Sequence, residues 1–276
     1  MTIDARITVV IVAFNSGDWL LRSVQSCLRC AEITEILVCD NASSDTSLKA
    51  IAGFARVQIQ TLTENFGFST ACNVGWRRVK TEFVLFLNPD CELQTGQLGQ
   101  LMQLFASDSR AGIVSSQLVN EDASPQAPGL RRDPTPWRIL AHFSGLARLF
   151  PQLAINICPE LTAGVQSVDA CSGALMLMRK SLLEQLEGFD EGYFLHCEDL
   201  DICRRTRALE KRVLVDTRVK VLHAKGTSSA SVPGLVARAK LLGMQHYFEK
   251  FDAQTTNMPL RLVIRGVIWL RLYLQN

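Results

Sequence analysis

Phe83-Val84-Leu85-Phe86-Leu87-Asn88-Pro89-Asp90 runs five apolar residues together and then stops on an amide, a proline and a carboxylate. An unbroken apolar run of that length reads as a strand buried on both faces, the pattern of a parallel sheet. In open α/β sheets, ligands occupy the crevice outside the carboxyl ends of the strands. Asp90 falls at such an end. A plain turn acid after Pro89 is the competing reading, so the question is whether other strand ends carry matching polar residues.

They do. Apolar runs at 7–13, 36–39, 57–61 and 112–116 join 83–87 as predicted strands, and helical patterns fill 17–30, 45–54, 69–79 and 94–105. That alternation predicts parallel βαβ units with right-handed crossovers. Prolines break the rhythm over 120–136, and a second irregular stretch covers 151–164. Further on, 168–178 reads as a strand, 180–186 and 198–209 as helices, 211–216 and 219–223 as two more strands, and 235–251 and 260–274 as helices. With no internal repeat and no clear linker, the expected fold is one mixed α/β domain. Its Rossmann-like, mostly parallel sheet is flanked by helices and followed by a helical segment over 231–276.

The composition excludes several classes. Of 276 residues, 47% are hydrophobic and 20% charged, a globular balance that argues against general disorder. The 29 Lys and Arg against 27 acids leave a net charge of +2, so nothing calls for a nucleic-acid partner. Residues 1–6 are too short and too acidic for a signal peptide, and no 18-residue uncharged stretch marks a membrane span. The nine cysteines lie largely in apolar runs, where a thiol is a small hydrophobe, and Cys27 and Cys30 lack the second pair a zinc site needs. A reduced, cytoplasmic setting is expected.

Polar residues recur at the strand ends. Ala13 and Asn15 close the first strand, where small residues let a backbone approach a nucleotide, although Asn15 or Ser16 also suits a helix N-cap. The dinucleotide fingerprint GxGxxG is absent there, which argues against a nicotinamide dehydrogenase. Asp40 follows the second strand and can accept from a base N–H or a ribose hydroxyl, or simply form a turn. Gly67 permits a tight loop before a helix whose free N–H groups carry a positive dipole end, and Asn73 lies one turn into that helix. Glu198, Asp199 and Asp201 crowd a helix start, either to complement its dipole or as a base desolvated by Tyr193, Phe194 and Leu195. His223 ends an apolar strand, where it is structural or shares a metal with Asp90.

In order, the segments VVIVAFNS, VCDNASSDTS, ENFGFSTACNVG, FLNPD, CSGALMLMR, GFDEGYFLHCEDLDICRR and HAKGTSS resemble a family 2 inverting glycosyltransferase of the GT-A fold, across roughly residues 7–229. The NPD and HCEDLDIC forms are similar to bacterial rhamnosyltransferases of cell-surface polysaccharide synthesis. The resemblance implies a donor half over 1–118 and an acceptor and catalytic half over 119–230. It implies that Ala13, Asn15, Asp40, Gly67, Asn73, Asn88 and Asp90 surround a nucleotide sugar, dTDP-rhamnose or a UDP-sugar. Mg²⁺ or Mn²⁺ would sit on Asp90 with help from His223. Asp199 would be the base with Glu198 its rival, and a glycan or polyprenyl-linked glycan the acceptor. Asn88 stands where the usual DxD motif has an acid. The Ser- and Gly-rich segment 226–234 is expected to act as a lid. A nucleotidyltransferase would carry a Gly-rich basic loop after the first strand, which is missing; a catalytically inactive sugar-nucleotide-binding scaffold is the remaining rival.

The tail, MPLRLVIRGVIWLRLYL, is apolar with Arg261, Arg265 and Arg271 within about a third of the helical circumference. Ile264, Ile268 and Leu272 share that arc. A membrane-surface helix at the inner face of the cytoplasmic membrane and a helix packed on the domain or on a dimer partner are both expected forms.

Overall fold

The computed structural model describes residues 6–126, 129–157, 164–224 and 233–274. Strands β1 (Ile7–Ala13), β2 (Ile33–Asp40), β3 (Val57–Thr61) and β4 (Phe83–Leu87) alternate with helices α1 (Gly17–Leu28), α2 (Ser47–Ile51) and α3 (Phe68–Trp76). The four strands lie parallel in the order β3-β2-β1-β4, as the apolar runs predict. Odd and even residues serve different layers. Ile7, Val9 and Ile11 with Phe83 and Leu85 pack on α1 and on α4 (Gln97–Ser107), whereas Val10, Val12, Val84 and Phe86 pack on α3. Period-two alternation between two helical layers is why these strands read as continuous apolar runs.

Past β4 the sheet departs from a simple parallel array. A short β5 (Cys91–Glu92) and β6 (Ala111–Val119) follow, and β10 (Leu175–Arg179) inserts antiparallel between β4 and β6. The single strand expected over 168–178 is in fact three pieces: β8 (Val165–Val168), β9 (Ala170–Cys171) and β10. The break falls at Ser172-Gly173-Ala174, where the chain lines a cavity instead of a ladder. Conversely, the two strands expected over 211–223 are one, β11 (Arg212–His223). Its register against β6 shifts between Asp216 and Lys220, a bulge that sequence periodicity reads as a break.

Helix α5 (Pro136–Ser144) was not expected within or beyond the proline-rich stretch. Thr135 precedes Pro136 at its first turn, and Gly145 at φ 80° ends it, the usual proline-in, glycine-out punctuation. The two-stranded pair β7 (Leu130–Arg131) and β9 stands off the main sheet. Helices α6 (Lys180–Gln185), α7 (Glu198–Ala208), α8 (Pro233–Phe251) and α9 (Met258–Tyr273) complete the chain. Ile264 and Ile268 of α9 are buried in the same core as Ile139 of α5, so the tail packs on the domain. Eight described cysteines are buried free thiols; Cys158, like residues 226–232 of the expected lid, lies outside the described residues.

Candidate active site

The carboxyl ends of β1, β2 and β4 border a cavity of about 570 Å³ whose far wall comes from α5, α7, α8 and the Ser172–Ala174 break. Asn88, Asp90, Gly67, Glu198, Asp199 and His223 all line it. Residues as far apart along the chain as Gly67 and His223 therefore share one space.

Asp90 and His223 meet because β5, directly after the Asn88–Asp90 turn, pairs antiparallel with the end of β11, setting Cys91 opposite His223. The backbone N–H of Ala224 donates to the Asp90 carbonyl at 2.9 Å and locks the register. His223 Nε2 lies 3.3 Å from Asp90 Oδ1 and 3.4 Å from Asn88 Nδ2. Gln126 decides the tautomer. Its amide nitrogen donates to the His223 carbonyl (2.7 Å) and to Asn120 Oδ1 (2.8 Å), so its Oε1, 2.9 Å from Nδ1, must accept from the ring. With Nδ1 protonated, the neutral tautomer of the ring would turn its Nε2 lone pair towards the Asp90 carboxylate and the Asn88 amide. Two electron-rich atoms this close call for a proton or a cation between them, and a hard divalent ion fits that donor set. The third member of the cluster, Cys91, does not suit such an ion. Burial raises its thiol well above the usual range, and its sulfur faces the Ala174 carbonyl.

The opposite wall is built from the start of α7. His196 and Cys197 take φ of 68° and 70°, two successive left-handed residues without glycine, and this turn throws Glu198 and Asp199 into the cavity. Buried Asp201, held by Arg205, Lys250 (2.6 Å) and the Tyr193 hydroxyl (3.3 Å), anchors the helix behind them. Asp199 is pinned from three sides: Arg131 Nη2 and the Gly173 N–H (3.0 Å) donate to Oδ2, and the Leu200 N–H (2.8 Å) donates to Oδ1. Gly173 lets the backbone come this close: a Cβ there would stand a tight 3.3 Å from that of Asp199.

Electrostatics separates the two acids. Burial favours the neutral form of Asp199, but the Arg131 guanidinium and these hydrogen bonds outweigh it and hold the carboxyl below its ordinary value. Burial, reinforced by the charge on Asp199, pushes Glu198 up to about 8. Near neutral pH the pair holds one proton, on Glu198, and one negative charge, on Asp199. Glu198 Oε2 has no hydrogen-bond partner among the described residues.

The remaining expected site residues fall around or behind the cavity. Val12 and Phe14 line it, but Ala13 between them does not; its carbonyl accepts from the Asn41 N–H at 2.8 Å. Asn15, at φ 47°, spends its side chain on the Ser44 and Asp45 N–H groups and clamps the β2–α2 loop. Asp40 is buried just behind the wall: Oδ1 accepts from the Ser43 N–H at 3.1 Å, and Oδ2 has no partner among the described residues. Asn41, its neighbour, faces the cavity. Asn73 is not at the cleft. Its amide is consumed by Phe189, Glu191 and Trp76, and it ties α3 to the 189–191 loop. Sequence reasoning missed Arg131 and Gln126, both in the proline-rich stretch; no periodicity or motif there marks them.

Comparison with known proteins identifies the family and the fold. Over 282 aligned positions, 96% of this chain and 91% of the relative, the sequence is 26% identical to an N-acetylglucosaminyl-diphospho-decaprenol L-rhamnosyltransferase of Mycobacterium tuberculosis. It is 26% identical to the rhamnosyltransferase WbbL of Escherichia coli over 71% of this chain and 75% of that one. Among solved structures, the fold is shared with the mannosyltransferase PcManGT of Pyrobaculum calidifontis, in complex with GDP-Man and Mn²⁺. That match has a TM-score of 0.63 at 18% identity and covers 99% of this chain and 70% of that one. The fold is likewise shared with GalNAc-T7 bound to UDP, GalNAc and Mn²⁺, with a TM-score of 0.67 at 18% identity over 89% and 48% of the two chains. Residues 8–186 match the family described as glycosyl transferase family 2, and the chain is a member of that family, a nucleotide-sugar glycosyltransferase with a GT-A-like fold.

Proposed function

We propose that this chain moves a sugar, with inversion, from a nucleoside diphosphate donor to a hydroxyl of a glycan. The observation that carries the reading is the one cavity onto which Asp90, His223, Glu198 and Asp199 all open. L-Rhamnose is the favoured sugar, because the mycobacterial and E. coli relatives, matched along most of this chain, are named as rhamnosyltransferases; dTDP-rhamnose is the donor we favour, and a UDP-sugar is the alternative. By the same likeness the acceptor is a lipid-linked glycan of cell-surface polysaccharide synthesis, met at the inner face of the cytoplasmic membrane. Residues 1–118 then serve the donor, 119–230 the acceptor and the chemistry, and 231–276 form the helical extension.

Asp90 Oδ1 and His223 Nε2 would hold Mg²⁺ or Mn²⁺, which when bound would neutralise charge on the departing diphosphate as a Lewis acid. Gly67 and Asn41 border the donor end, with Asp40 buried behind them and its Oδ2 without a partner among the described residues. Asp199, already ionised, takes the proton of the acceptor hydroxyl as that oxygen attacks the anomeric carbon from the face opposite the leaving group. One displacement inverts the centre. Arg131 and the Gly173 N–H keep the carboxylate oriented throughout. A second assignment, Glu198 as base, would act through the fraction ionised as pH nears about 8, its Oε2 having no hydrogen-bond partner among the described residues.

The test is a thermal-shift panel of nucleotide sugars on the purified chain, with and without Mn²⁺, followed by donor turnover. A donor that binds the folded state raises the midpoint by mass action. We expect dTDP-rhamnose to give the largest shift and Mn²⁺ to enlarge it. No shift with any nucleotide sugar would overturn the transferase reading, and binding without turnover would favour the inactive scaffold.

A further inference from the structure

Helix α9 is apolar on two sides, and the fold uses one. Ile264 and Ile268 are buried against α5, while Leu262, Val263, Trp269, Leu270 and Tyr273 on the opposite side are exposed, Trp269 by 64%. An amphipathic surface helix should turn a polar face outward; this one turns a tryptophan, a tyrosine and aliphatics. The apolar surface continues next door. Arg271 Nη2 donates to the Phe143 carbonyl at 2.7 Å, fixing the end of α9 beside the end of α5. Three residues on, the chain exposes Leu146, Leu149 (74%) and Phe150. A contiguous exposed apolar area of this kind marks a surface built to be covered.

Charge selects what covers it. Segments 134–157 and 253–276 together contain five arginines, at 138, 148, 261, 265 and 271, and not one Asp or Glu. Glu249 of α8 neutralises Arg265, but a second copy docked on this face through a two-fold axis would still oppose Arg138, Arg148, Arg261 and Arg271 to one another. An anionic bilayer surface instead takes the apolar side chains into its headgroup boundary and pairs the guanidinium groups with phosphates. No described helix is long and apolar enough to cross a membrane, so contact would be with the surface alone.

We infer that the face formed by residues 137–150 and α9 seats on an anionic lipid surface. The placement serves the cavity directly. Helix α5 contributes His142 to the cavity wall, and Ile155 and Asn156 follow from the same segment, so the acceptor end of the site opens beside the seated face. An acceptor glycan borne on a lipid diphosphate would enter there without leaving the membrane. This role in acceptor delivery rests on the transferase reading, whereas lipid seating itself does not.

The experiment is co-sedimentation of the full chain with mixed phosphatidylcholine–phosphatidylglycerol vesicles, against vesicles of phosphatidylcholine alone. We expect partitioning onto the mixed vesicles that weakens with salt. It should fall by about tenfold or more in Leu149→Glu/Phe150→Glu and, separately, in Trp269→Glu/Leu270→Glu. These positions are exposed, so both variants should keep the parent circular dichroism and the parent rate of donor hydrolysis. A parent chain that stays in the supernatant, or variants that sediment as well as the parent, would overturn the inference. So would light scattering showing a dimer that the Trp269→Glu/Leu270→Glu variant dissolves. Absence of donor hydrolysis with intact vesicle binding would instead sink the transferase reading and leave the lipid surface standing.

Discussion

At the scale of single residues, the chemistry turns on how one proton is shared between adjacent acids. Asp199 is ionised because Arg131 reaches it from β7, and that negative charge helps keep Glu198 protonated. Asp199→Asn preserves shape and removes the base, so kcat should fall by about 100-fold or more. Donor affinity, read by the nucleotide-dependent thermal shift, should be unchanged. Loss of donor binding with a normal rate would count against the assignment, and an equal loss in Glu198→Gln alone would transfer the role to that residue. Arg131 acts through Asp199, and the pH profile exposes it. In Arg131→Met only the backbone hydrogen bonds and the more distant His196 are left to oppose burial, the carboxyl's pKa rises, and the acid limb of kcat/KM should move to higher pH; Arg131→Lys, which keeps the charge, should move it less. A limb that stays in place while the rate drops would reduce Arg131 to a structural part.

At the scale of elements, the site is held where regular structure gives way. Gly67 sits at φ 89°, ψ 170°, a conformation open to glycine almost alone. Its missing Cβ would meet the Phe194 carbonyl at 2.5 Å, and that carbonyl accepts from the Phe68 N–H at 2.7 Å. The start of α3 is thereby docked on the turn that aims Glu198 and Asp199. Gly67→Ala should cost about 1–3 kcal/mol in denaturant unfolding from the backbone alone, and should lower kcat because the acids lose their seat. Full stability in that variant would contradict the geometry. The same contrast explains what could be read in advance. β1 to β4 were legible because continuous apolar runs between helices have few other uses, and Asp90 and Glu198–Asp199 stood at recognisable element ends. The split at Ser172–Ala174 and the bulge in β11 are set by tertiary contacts: a backbone N–H given to Asp199, and a register shift against β6. Gln126 and Arg131 lie on a segment whose course depends on what it packs against. Asn73 was misplaced because helical spacing gives a direction and not the neighbour, here the 189–191 loop.

At the scale of the whole molecule, the acid pair leaves a mark on stability. A carboxyl with the ordinary value of 4.5 when unfolded and about 8 when folded binds its proton more tightly in the native state. Native Glu198 therefore stabilises most below pH 4.5, and that contribution is lost as pH rises through about 8, because the buried group must ionise beside Asp199. Asp199 has the opposite sign: its value is lowered on folding, so its contribution is present at neutral pH and lost only in acid. Between pH 5.5 and 8.5 the Glu198 effect should be the visible one. Glu198→Gln carries no titrating group and keeps nearly the same volume. Its Tm should therefore fall less across that range than that of the parent, and the gap between the two should widen towards alkaline pH. A scanning-calorimetry series at constant ionic strength reads this without substrate or metal. Parallel Tm curves for the two proteins would mean that Glu198 ionises freely in the native state. The cavity wall would then be wetter than the described packing allows, and the proton would have to be reassigned within the pair.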